Sequence, residues 1–161
     1  MSDASGLPTD IEVGDAYALR TFAVKDGRLA SIVQGGGHWE NGVCVARCVT
    51  HPDDPDHEVP AERCSCGVYA FWTIEELLHQ YLEFARRIVT VVRLDGLTIE
   101  GDNGVKANAA QIVAWWCAED ASELATACAA SSPGTRRYFD RDVMVRIHGL
   151  RESPEERNQH G

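Results

Sequence analysis

The feature that most constrains this chain is a crowding of sulfur. Four of its six cysteines, Cys44, Cys48, Cys64 and Cys66, fall within 23 positions, with His38, His51 and His57 in or beside the same stretch. The segment between the cysteine pairs, residues 49–63, is polar and acidic and carries Pro52, Pro55 and Pro60. So many prolines exclude regular structure. A loop of that length inside a compact domain needs something to pin it, and metal coordination would do so. The compartment matters for this reading. The first fifteen residues, MSDASGLPTDIEVGD, are acidic and polar, unlike the basic start and apolar middle of a secretory signal, so a cytoplasmic protein is expected. In a reducing compartment clustered cysteines read as metal ligands rather than disulfides.

Zinc takes thiolate and imidazole ligands in a tetrahedron. Cys64-Ser65-Cys66 places two thiols at the entrance of an expected strand, and Gly67 after them lets the backbone approach the sulfurs. The remaining ligands come from Cys44, Cys48, His51 and His57, and spacing alone leaves that choice open. The spacing is not a common zinc-finger pattern. Two competing readings are a set of reduced, partly buried thiols beside solvated loop histidines, and a redox or catalytic cysteine. The last lacks both a Cys-x-x-Cys and an obvious histidine partner. Cys117 and Cys128 sit among apolar and small residues and read as buried thiols.

At 161 residues, 44% hydrophobic and 25% charged, the chain suits one globular domain. We expect it over residues 16–150, between a disordered leader at 1–15 and a disordered tail at 151–161. Residues 17–24 and 28–34 read as a hairpin about Lys25-Asp26-Gly27. Gly35-Gly36-Gly37 reads as a loop, since it lacks the spacing of a phosphate-binding loop. Short strands are expected at 43–48 and 67–72. Thr73 and Glu76 have capping-box spacing and open a helix with an apolar stripe at Ile74, Leu77, Leu78, Tyr81, Ala85 and Ile88. A meander follows at 89–94, 97–100 and 105–117, then a helix at 118–130 and a last strand at 143–147. The expected class is α+β: antiparallel strands, two helices and a zinc-stapled loop in a single domain.

Several motifs occur in one order. A loose Tyr-x-x-x-aromatic-x-Val-x-Asp-Gly-Arg-Leu-x-Ser stretch spans Tyr17 to Ser31, followed by Trp39. A cysteine, then His57-Glu58-Val59-Pro60, then Cys64-Ser65-Cys66-Gly67-Val68-Tyr69-Ala70 come next. Downstream lie Val92 to Gly96 and Gly104 to Ala107. In these the chain resembles a family of small proteins of actinobacteria and their phages, over roughly residues 16 to 117. The resemblance implies the ligand set Cys48, His57, Cys64 and Cys66 and leaves out Cys44 and His51. It implies no established activity. Extra Asp and Pro residues before His57 depart from the pattern and keep His51 as a substitute for His57.

Three cysteines and one histidine fill zinc's four positions, so the ion is expected to be structural. The base-deaminase signature is also missing, because His57 and Glu58 are adjacent and the later pair is Cys-x-Cys. The formal net charge of −10 repels phosphate backbones. Nucleic acid is therefore disfavoured, no membrane span is expected, and a protein partner for the acidic surface and exposed aromatics is the expected role. Two alternatives stand beside this interaction module. One is an enzyme or nucleotide-binding protein with its site near Gly35-Gly36-Gly37 or Glu100–Lys106. The other is a regulator touching DNA through Arg136, Arg137 and Arg141. Of Trp115 and Trp116, adjacent in a strand, one is expected inside and one exposed.

Overall fold

The computed structural model describes residues 16–32, 38–102, 104–118 and 122–154. The leader at 1–15, Gly35-Gly36-Gly37 and the tail beyond 154 lie outside these. The fold is mixed α and β, and its organising element is one long hairpin. Strands β6 (Ile88–Glu100) and β7 (Gly104–Cys117) pair along nearly their whole length. The other side of β7 is shared in sequence by β5 (Val68–Phe71), β4 (Val43–Val45) and β8 (Arg136–Tyr138). Strand β1 (Tyr17–Arg20) pairs with β6 and touches β5 through Leu19 and Phe71, so the ring β7–β6–β1–β5 closes on itself. All these pairings are antiparallel except β7 with β8.

Residues of β-forming type alternate across such a sheet with period two, and two irregularities keep the phase correct. Ile112 faces the same core cluster as Trp115 and Cys117, because β7 carries one extra residue, Val113, opposite the Val91/Val92 step. A second shift lies between Asp95 and Thr98, and beyond it Val105 and Ala107 return to that cluster. Asp95-Gly96 had the composition of a turn between two strands. It is instead a bulge inside the continuous β6, with Gly96 at φ +76°. A Cβ on Gly96 would lie 2.8 Å from that of Asn108, so only glycine fits there.

One face of the sheet buries Phe22, Leu29, Ile112, Trp115 and Leu124 beneath α2 (Ser122–Ser131) and the β2–β3 hairpin (Ala23–Lys25, Arg28–Ala30). The turn expected at Lys25-Asp26-Gly27 is present, with positive φ at Asp26 and Gly27 as a two-residue turn requires. The hairpin is shorter than the expected pairing of 17–24 with 28–34: only Ala23–Lys25 and Arg28–Ala30 pair, and Tyr17–Arg20 joins β6 and β5 instead. The other face buries Leu19, Val89, Val91, Leu77, Met144 and Val145 under α1 (Ile74–Ala85) and α3 (Arg141–Ile147). Helix α1 begins as its sequence indicates. The Glu76 amide donates to Thr73 Oγ1 at 3.1 Å, and that hydroxyl donates to the Glu76 carboxylate at 2.9 Å. Tyr81, at φ −138° and ψ 57°, breaks the helix before its last turn.

Three helices are present among the described residues, where two were expected. The third, α3, replaces the strand expected at 143–147. Its apolar run suits a strand, but Asp140 accepts from the amides of Asp142 and Val143 and so starts a helical turn. Arg151 and Glu152, expected in the tail, accept from the amides of Ile74 and Glu75 at the start of α1. Both tryptophans are covered, Trp115 fully and Trp116 by half. No helix among the described residues is long and apolar enough to cross a membrane.

Candidate metal centre

The site forms where two strand ends meet the loop. Strand β4 hands the chain to Cys48, and Cys64 and Cys66 precede β5. Both strands hydrogen-bond to the same side of β7, which brings the cysteines together across the loop. One ligand atom from each of Cys48, His57, Cys64 and Cys66 lies within 4.8 Å of every other. The sulfurs of Cys48 and Cys64 are 3.4 Å apart, and Cys66 Sγ is 3.5 Å from His57 Nε2. A tetrahedral zinc ion with its usual bond lengths separates two thiolate sulfurs by about 3.8 Å and a sulfur from an imidazole nitrogen by about 3.6 Å. These four side chains are therefore close enough to hold a metal ion, and their sulfur-rich donor set is compatible with zinc.

The other sequence candidates fall in two places. Cys44 is fully buried in the core on the inner face of β4, and burial raises its pKa. His51 lies at the rim of the cluster: its Nδ1 is 3.4 Å from Cys48 Sγ and 3.8 Å from Cys64 Sγ, and its ring stacks on His57 at 4.3 Å. Within the cluster the thiols are not equivalent. The Cys66 amide, and then the Cys48 thiol, hold the Cys64 pKa down to about 6, whereas burial and then Cys64 raise that of Cys66. Cys64 is the first of the pair to lose its proton.

What positions the loop is a set of side chains from β7 and β5 for which the sequence reading gave no such role. Lys106 Nζ donates to the carbonyls of Ala61 and, at 2.6 Å, Cys64, bringing a positive charge behind the turn that carries the thiols. Asn108 sits at the second irregularity of the β6–β7 pairing. Its Nδ2 donates to the Val59 carbonyl at 2.8 Å, and its own carbonyl accepts from Ala46 at 2.8 Å. Tyr69 on β5 donates its hydroxyl to the Ser65 carbonyl at 2.9 Å. These bonds satisfy carbonyls of a loop with no ladder of its own. Beneath them Arg20 donates to the Tyr69 carbonyl at 2.6 Å, and burial lowers its pKa to about 10.

The remaining thiols behave as core side chains. Burial raises the pKa of Cys117 and pushes that of Cys128 up to about 12. Alkylation followed by mass spectrometry should therefore separate the six cysteines. The metal-loaded protein should resist labelling throughout. With metal removed in the cold, Cys48, Cys64 and Cys66 should react while Cys44, Cys117 and Cys128 stay silent. Early labelling of Cys128 would contradict this core.

Of the alternative locations, Glu100 lines an open cavity of about 350 Å³ with Tyr17, Trp72, His148 and Arg151. Arg136, Arg137 and Arg141 gather at β8 and the start of α3. No family profile, no curated protein and no solved structure matches the chain.

Proposed function

We propose that this chain is a non-enzymatic protein-interaction module whose long loop is stapled by one structural zinc ion. The observation that carries the reading is the convergence of three thiols and one imidazole within 4.8 Å at the junction of β4, β5 and the loop. A zinc ion held by four protein ligands tethers chain segments and has no position left for a reactive water, so hydrolase or deaminase chemistry is not supported. Cys48, His57, Cys64 and Cys66 would join β4 to β5 across residues 49–63, so metal binding becomes folding energy. A reducing cytoplasm suits such a site. Binding is assigned to the surface instead, where Tyr69 and Phe139 stand exposed among the aromatics. The resemblance to actinobacterial and actinophage proteins supports the same ligands, and for a phage-encoded chain a host protein is the natural partner.

Native mass spectrometry tests the metal half of this reading. The wild-type chain should carry one zinc ion, His51→Ala should keep it, and Cys66→Ser should lose it. A wild-type chain without zinc, or a Cys66→Ser variant that keeps it fully, would overturn the assignment.

A further inference from the structure

The sequence Arg136-Arg137-Tyr138-Phe139-Asp140-Arg141 places three cations within six residues of a chain whose net charge is −10. Each guanidinium is held on an aromatic ring. Arg137 lies 5.2 Å from the Trp115 ring and 4.3 Å from the Phe139 ring. Arg136 lies 4.7 Å from Tyr138, and Arg141 lies 5.9 Å from Trp116. Stacking of this kind fixes the guanidinium plane and leaves N–H groups to bind an anion, although on Arg137 one of them, at Nη2, donates to Cys117 Sγ at 3.9 Å. Arg141 pairs with Asp142 at 3.2 Å, whereas Arg136 and Arg137 have no carboxylate within ion-pair distance among the described residues. Both are exposed, and Phe139 beside them is 68% exposed.

The backbone adds a second, independent feature. Strand β8 hydrogen-bonds to β7 on one side, and among the described residues nothing pairs with its other edge. Arg136 and Arg137 are consecutive in a strand, so they leave it on opposite faces and straddle that open edge. A partner that lies along the edge meets backbone donors and acceptors in the middle and a cation on either side. We infer that the β8 edge is a docking strip for an extended acidic peptide segment of a partner protein. Adjacent Asp or Glu residues would pair with Arg136 and Arg137, and an apolar neighbour would cover Phe139. The charge distribution favours a peptide over nucleic acid, since a phosphate backbone continuing past this patch meets an acidic protein. The inference rests on the interaction-module reading and supplies the chemistry of its partner.

The probe is a short fluorescein-labelled peptide with adjacent glutamates flanked by valines, compared with its glutamine counterpart and with a single-stranded oligothymidine. Zinc content is measured on every sample. The glutamate peptide should bind, with backbone NMR shifts centred on residues 136–139. The glutamine peptide should bind at least about tenfold more weakly, and so should the glutamate peptide to the double variant R136Q/R137Q. That variant should keep its zinc, so loss of peptide binding is separated from loss of fold. Equal binding of both peptides, shifts centred elsewhere or tighter binding of the oligothymidine would each overturn the proposal. So would no binding at all, which would leave the arginines as guards of an open strand edge. A zinc-free wild-type chain would instead count against the metal reading alone.

Discussion

If the proposed zinc site is filled, removing the metal with a chelator should lower the melting temperature by roughly 10–20 °C, and Cys66→Ser should do the same. The size follows from what the site holds. Residues 49–67 contain no regular structure, so their attachment to the sheet depends on three hydrogen-bonding side chains, Lys106, Asn108 and Tyr69, and on the Cys/His cluster of the proposed zinc site. Net hydrogen bonds of this type contribute about 1 kcal/mol each, whereas a structural zinc contributes several kcal/mol. For a domain of this size each kcal/mol shifts the midpoint by about 2–4 °C. Without metal, three thiols and two imidazoles would crowd at the junction with little to hold them, and the ends of β4 and β5 would lose their tie. Calorimetry with and without chelator checks this. A midpoint that moves by less than about 3 °C would show that the hydrogen bonds alone suffice.

The second large effect should come from Gly67→Ala. Gly67 follows Cys66 directly and has φ +123°, a region where a side chain is strained. An added Cβ would also lie 3.0 Å from Pro60 and 3.2 Å from the Cβ of Lys106. Relief of either contact moves the loop against β7, and with it the Lys106 bond to the Cys64 carbonyl. We expect a loss of about 2–4 kcal/mol in chemical denaturation together with weakened zinc retention. Gly27→Ala is the control: its φ is also positive, at +76°, but nothing lies within 4 Å of an added Cβ. It should cost about 1 kcal/mol, with zinc retention unchanged. Equal effects of the two substitutions on zinc would contradict the role given to Gly67.

Much of the fold was legible because its signals are local. The hydroxyl of Thr73 and the two-residue turn at Asp26-Gly27 act within a few positions, and the helix start and the turn form where expected, whereas residues 17–20 leave the expected hairpin to pair with β6. Local signals mislead where they have a competitor further along the chain. Asp95-Gly96 has turn composition, yet β7 pairs on both sides of it and absorbs it as a bulge. Residues 143–147 have strand composition, yet the Asp140 cap starts a helix. The candidate ligands were legible because thiol and imidazole chemistry is carried by residue type. Spacing alone left the choice between Cys44 and Cys48 open, since it depends on which face of β4 turns inward, and only the resemblance pointed to Cys48. The loop-holding roles of Lys106 and Asn108 were not legible for the same reason. Each reaches a loop carbonyl more than forty residues away, at Cys64 and at Val59, through the register of β5 and β4 on β7.

The proposed site holds one zinc ion on Cys48, His57, Cys64 and Cys66. X-ray absorption at the zinc edge measures that shell directly. Three sulfur neighbours at about 2.3 Å and one nitrogen at about 2.0 Å are expected, unchanged by His51→Ala. A shell with fewer sulfurs, with a water oxygen in the fourth position, or one that loses its nitrogen in His51→Ala would contradict it.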